Sequence, residues 1–173
     1  MADAAEMIEP CSGCGLAVPD GTRGCDAILH ELSARDFEDL RYFRVHRLMI
    51  DAYCLQHPDR YCRSAKSLAA HLVSLCLILE HGADAATGSP CLQRLLDGAP
   101  QLERPAVPAF RGALTIADVR DADNPDAYAQ AVRSWAEAVW RAYAALHPFA
   151  HDWAERTLRA SSARSGRTVR SGK

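Results

Sequence analysis

The residues best suited to chemistry are three cysteines near the start of the chain, in PCSGCGLAVPDGTRGC over residues 10–25. Cys11 and Cys14 are separated by two residues, so one tight turn can present both thiolates to a single ion. Gly13 and Gly15 leave the backbone free to aim N–H groups at the sulfurs. A redox dithiol is the rival reading, but it wants its first cysteine at the start of a helix, and Gly13, Gly15 and Pro19 oppose a helix here. Cysteines with no shared role are a third reading. On the metal reading the ion is Zn2+, and Cys25, across the turn signalled by Pro19, Asp20 and Gly21, is the natural third ligand.

The fourth ligand has several candidates. If the helix that begins near Cys25 packs antiparallel on a longer one ending near Gln56, Cys25 comes close to His57. A further helix returning antiparallel after His57-Pro58 brings His71 level with Ile50 to Cys54. His57 and His71 are therefore the leading candidates. His30 follows, five residues beyond Cys25 and so on another helix face. Cys54, which would make an all-cysteine site, comes last. His46 lies about 16 Å along a helix from His57, too far to share an ion. Within VHRLMIDAYCLQHP, Arg47 stands four residues before Asp51, at ion-pair spacing, and Asp51 is placed to accept a hydrogen bond from an imidazole. The plainer reading of Arg47, Asp51, Tyr53 and His57 is a buried polar network kept for stability.

The elements that must position these groups read as mainly α: a helical bundle with a cysteine knuckle or short hairpin at its front. Apolar periodicity predicts a short helix over 26–35, then a long one over 37–56 with Asp36 as its N-cap. A third spans 65–80, capped by Ser64 and closed by Gly82. Short pieces follow at 90–96 and 116–121, the latter opened by a capping-box spacing at Thr115 and Asp118. Asn124-Pro125 opens a last long helix carrying Tyr128, Val132, Trp135 and Val139 on one face. Cys76 reads as core, and Cys62 and Cys91 as loop positions. The expected organisation is a flexible N-terminus at 1–9, one helical domain at 10–155 with the knuckle at 11–25, and a basic disordered tail at 156–173.

The chain has 173 residues, 49% of them hydrophobic, with a formal charge of −2. That suits one globular domain and excludes a polycation built to coat nucleic acid. Residues 1–155 carry 14 basic against 22 acidic residues, and six cations without an acid follow Glu155. That tail permits at most weak electrostatic contact with nucleic acid or an acidic partner, and a solubilising role is the plainer expectation. No apolar run is long enough to span a membrane. The opening MADAAEMIEP does not read as a secretion signal, and seven cysteines, an odd number, point to a reducing cytoplasm.

The N-terminal CxxCG, the later Gly24-Cys25, HRL-x3-D-x-Y-x2-QHP from His46 to Pro58, a Ser/Ala-rich stretch ending at His71-Leu72, GALTIADV (112–119) and the tryptophans at 135 and 140 together resemble an uncharacterised family of small bacterial proteins. The resemblance spans residues 10–153. It implies that Cys11, Cys14, Cys25, His46, Arg47, Asp51, Tyr53, Gln56, His57 and His71 matter in the family, omits His30, and brings no activity with it.

Two classes of function follow. One is a structural zinc site that pins the knuckle to the helices of a protein serving a protein or small-molecule partner. The other is a hydrolase-like metal enzyme in which three ligands leave room for water and His46, Asp51 or Tyr53 act as acid–base groups beside His57 and His71. Ligand count separates the two.

Overall fold

Pro10 and Pro19 bracket the first structural unit. In the computed structural model, which describes residues 8–83, 85–99 and 101–168, strand β1 (Ile8–Pro10) pairs antiparallel with β2 (Ala17–Pro19), Ile8 opposite Pro19 and Pro10 opposite Ala17. The flexible N-terminus expected at 1–9 falls at residues 1–7 outside the described residues, and Ile8 and Glu9 belong to β1.

Helix α1 (Thr22–Glu38) begins before Cys25 and runs straight through Asp36. The expected long helix at 37–56 is instead divided. Asp39 is extended and caps the one-turn helix α2 (Leu40–Phe43) by accepting from the Arg41 N–H, and α3 (His46–Gln56) starts afresh after Val45. Asp36 is therefore not an N-cap. Its carboxylate is buried against His46 and Tyr128, a contact that requires the chain to fold back between α1 and α3. Phe37 and Leu40, apolar residues in the first turn of the helix expected at 37–56, are 68% and 79% exposed.

From Leu48 to Gln56 only Ile50 escapes burial, so α3 is central and must pack on every side. It lies against α5 (Ala65–Leu79) and α8 (Pro125–Ala142). The predicted caps are in place. Ser64 Oγ accepts from the Ser67 N–H at 3.0 Å, and Asn124 Oδ1 accepts from the N–H groups of Asp126 and Ala127. Thr115 and Asp118 are joined side chain to backbone just ahead of α7 (Ala117–Arg120). Tyr128, Val132, Trp135 and Val139 are fully buried along one face of α8.

Three further segments depart from expectation. Pro58 opens a one-turn helix, α4 (Pro58–Tyr61), and Cys62 caps it in full burial. Helix α6 (Ala85–Gly98) is longer than the piece expected at 90–96, and places Cys91 inside a helix rather than in a loop. After α8 and a 3-10 turn at Ala144–Leu146, helix α9 (His147–Thr168) crosses into the stretch expected to be a disordered tail. Ala150, Trp153, Ala154 and Thr157 are buried on this helix, which packs against α5 and α6, while Arg156–Asp152 and Arg159–Glu155 form i,i+4 pairs on its exposed side. The charge count concealed this apolar face. Residues 169–173 lie outside the described residues. The protein is thus mainly helical, with one two-stranded hairpin among the described residues.

One buried amide ties the irregular 101–116 segment to the centre. Gln56 donates to the carbonyls of Arg111 and Leu114 at 3.1 and 2.7 Å and accepts from Trp135 Nε1 at 3.1 Å. Gln56→Ala leaves the buried Trp135 indole and two half-buried carbonyls without this partner, so unfolding stability in urea should fall by about 2–4 kcal/mol. Gln56→Glu, which keeps the size and the indole bond, should also destabilise, because it aims an anion at two carbonyls.

Candidate metal centre

The hairpin delivers two sulfurs. Cys11 leaves β1 with its N–H on the Leu16 carbonyl at 2.8 Å, and the Gly15 N–H returns to the Cys11 carbonyl at 2.8 Å, closing the loop that carries Cys14. Ser12 fastens this loop to the start of α1 through Thr22 Oγ1, at 3.1 Å from its N–H. Arg111 donates to the Gly13 carbonyl at 2.8 Å. Cys25 sits in the first turn of α1, its N–H on the Gly21 carbonyl. Close approach of hairpin and helix needs Gly24, where a Cβ would lie 1.9 Å from the Pro19 carbonyl oxygen.

The fourth side chain comes from where α3 stops. Pro58 bars His57 from continuing the helix, and at φ −120° and ψ 51° its ring turns back under the helix end. His57 Nδ1–H donates at 2.8 Å to the Tyr53 carbonyl, which also accepts the His57 backbone N–H at 3.1 Å. This fixes the tautomer and turns the Nε2 lone pair toward the sulfurs. The Tyr53 ring stacks on the imidazole at 4.0 Å.

Nε2 lies 3.2 Å from Cys11 Sγ and 3.5 Å from Cys25 Sγ, and the Cys14 and Cys25 sulfurs are 3.8 Å apart. All four donor atoms fall within 4.8 Å of one another. A tetrahedral site with metal–sulfur bonds of about 2.3 Å and a metal–nitrogen bond of about 2.05 Å has S···S edges of about 3.8 Å and S···N edges of about 3.5 Å. The cluster is near that size already. Cys11, Cys25 and His57 are 2%, 0% and 2% exposed, and Cys14 is half-buried, so the centre meets water only on its Cys14 side. The Cys11, Cys14, Cys25 and His57 cluster could hold a metal ion.

Its electrostatics ask for a cation. Cys14 is pushed down to about 4, chiefly because the Cys25 thiol hydrogen-bonds to its thiolate, with burial opposing and His57 assisting. Cys25 is pushed up, first by that same bond and then by burial. Burial works to lower the pKa of His57, but its bonds with Cys14 and the Tyr53 carbonyl raise it on balance. One thiolate is therefore favoured and a second resisted until positive charge arrives.

A polar shell supports the cluster. Tyr53 Oη donates to Asp26 Oδ1 at 2.6 Å, and Asp26 also pairs with Arg60. Burial opposes ionisation of Asp26, yet the bonds from Tyr53 and Arg60 hold its carboxyl below the usual range. Sequence reasoning missed Asp26, Arg60 and Arg111. Only the adjacency of Asp26 to Cys25 could have hinted at the first.

The other candidates lie elsewhere. His71 Nδ1 contacts Asp51 Oδ1 at 2.8 Å and is not among the clustered donors. Arg47 Nε bonds the other Asp51 oxygen at 2.9 Å and Ser74 at 3.2 Å. The predicted level of His71 beside α3 is thus observed, with Asp51 rather than the cysteines as its partner. His30 is exposed on α1, and Cys54 is buried but outside the cluster, its carbonyl accepting from the Cys62 thiol. His46 pairs with Asp36 at 2.9 Å. The acid–base candidates His46, Asp51 and Tyr53 therefore engage three different sets of partners instead of one pocket.

Two tests follow. In Gly13→Ala the new Cβ would lie 2.2 Å from His57 Cδ2. Displacing that ring should weaken metal affinity by about 10–100-fold in chelator competition, with helical circular dichroism unchanged. The second concerns Asp36, whose pKa burial raises above the ordinary 3.8 against the pull of His46 and Tyr128. The folded chain then keeps this proton to higher pH than the unfolded chain, so the Asp36 contribution to stability falls as pH rises from 3.8 through the folded value. Asp36→Asn should remove that slope in urea unfolding measured across the window, and an unchanged slope would contradict the assignment.

No curated protein and no solved structure significantly matches this chain. Residues 9–144, which hold every member of the metal cluster and its polar shell, match the family of unknown function DUF5946, and the chain belongs to that family.

Proposed function

We propose that the protein is a zinc protein whose ion is structural, bound by Cys11, Cys14, Cys25 and His57, and that it serves a partner- or ligand-binding role on a helical bundle. The observation that carries this reading is a set of three sulfurs and one nitrogen, all but Cys14 buried, already spaced like the edges of a zinc tetrahedron. Such a set fills the coordination shell, which is the pattern of structural rather than catalytic zinc. The ion joins the hairpin to the start of α1 and the end of α3, three pieces otherwise linked by a few hydrogen bonds.

Support for a ligand role comes from a cavity of about 580 Å3 with Val45, Leu48 and Ile78 among its walls and Arg44, Arg47 and Arg133 beside them. These arginines already pair with Asp126, Asp51 and Glu137, so what the cavity offers a small ligand is its apolar wall. Support for a reducing cytoplasm comes from the odd number of cysteines, seven. Among the described residues no helix is long and apolar enough to cross a membrane.

Metal analysis of the purified reduced protein should find one tightly held Zn2+ per chain. Cys11→Ser, Cys14→Ser, Cys25→Ser and His57→Ala should each lose it, whereas His71→Ala, His30→Ala and Cys54→Ala should keep it. With free Zn2+ about 1,000-fold above its dissociation constant, the ion should stabilise the fold by about 4 kcal/mol. A chain that binds tight zinc without those four residues, or gains no stability from it, contradicts the reading.

A further inference from the structure

A second group of donors stands at the far end of α5. Glu80 caps that helix, and Cys76, one turn earlier on the same face, places its sulfur 3.9 Å from Glu80 Oε2. His81 follows directly, and the donor atoms of Cys76, Glu80 and His81 all lie within 4.8 Å of one another. His151, from the second turn of α9, brings Nε2 to 2.8 Å from the same Glu80 oxygen. The other carboxylate oxygen accepts from Trp140 Nε1 at 2.8 Å, which holds the group in place. Trp140 in turn stacks on His147 at 3.8 Å. Three of the chain's seven histidines thus surround one carboxylate.

An ion pair between Glu80 and His151 would suffice to dock α9, but it would not require a buried thiol and a further imidazole at the same point. Cys76 is 0% exposed and forms the protein side of the cluster. The Glu80 and His151 side chains are 37% and 45% exposed and face water. The C-terminal end of α5 adds the partial negative charge of its helix dipole, which favours a cation.

We propose that Cys76, Glu80 and His81 form a second metal site, open to solvent, for a divalent first-row transition metal. Its mixed sulfur, nitrogen and carboxylate donors suit Zn2+, Co2+ or Ni2+ over Mg2+ or Ca2+. Binding exchanges a proton for the metal. The Cys76 thiol releases its proton to solvent as its sulfur binds the metal. No electron is transferred. Unlike the front centre, this one has three protein ligands and leaves a coordination position to water, so it exchanges readily, and the Glu80–His151 contact links its occupancy to the start of α9.

Co2+ titration of the reduced, metal-free full chain, followed by absorption, tests this. Two equivalents should bind. The first and tighter should carry the strong charge-transfer absorption of several thiolates, and the second, weaker one that of a single thiolate. Glu80→Gln and His81→Ala should each weaken the second equivalent by about 100-fold or more while leaving the first intact. His30→Ala, which removes an exposed histidine elsewhere, should change neither. The double variant Cys11→Ser/Cys14→Ser should lose the first equivalent and keep the second, so the two sites succeed or fail separately. Binding of only one equivalent by the wild-type chain, or a second equivalent indifferent to Glu80→Gln and His81→Ala, overturns the proposal.

Discussion

Three sulfurs and an imidazole nitrogen crowded into one water-poor spot set the constraint on which the rest of this structure depends. Thiols in contact can release one proton at moderate cost, because the remaining S–H groups and His57 stabilise the first thiolate. A second thiolate must form beside the first, and burial magnifies their repulsion. A divalent cation removes that penalty. The spacing of the four donors, the inward turn of Nε2 and the shielding by Tyr53 make sense as a nest for such an ion.

The same constraint explains why the surroundings are rigid where they are. Gly13 leaves room for the imidazole, and Gly24 lets α1 approach the hairpin closely enough for Cys25 to join it. Tyr53 does three things from one position: its carbonyl orients His57, its ring covers it, and its hydroxyl reaches Asp26. Gln56, one residue before His57, is bound on both sides of its amide and so fixes the helix end that delivers the ligand. The hairpin has little core of its own, and the centre is where it is anchored to the helices.

Much of this was legible in the chain. The C-x2-C spacing, the turn before Cys25 and the proline after His57 together bring the four donors to one place, and helix ends at Ser64 and Asn124 were written in their capping residues. What could not be read was tertiary. His71 and His57 were both credible because antiparallel helices put both near the end of α3. Only the rotation of α5 decides that His71 meets Asp51. The break between α1 and α3 was hidden because Phe37 and Leu40 continue an apolar pattern yet face outward, while Asp36, a good capping residue by type, is buried in a pair with His46. The helical extent of α9 was masked by its arginines, since alanines and one tryptophan carry its buried face. The second donor cluster, Cys76 with Glu80 and His81, sits where α5 ends, and its one cysteine reads in the sequence as part of an apolar run.

X-ray absorption at the zinc edge, on protein loaded with one equivalent of Zn2+, tests the central claim most directly. The account predicts three sulfur scatterers at about 2.3 Å and one imidazole nitrogen at about 2.0–2.1 Å, with the imidazole signature lost in His57→Ala. A first shell dominated by oxygen and nitrogen, with one sulfur or none, would contradict it.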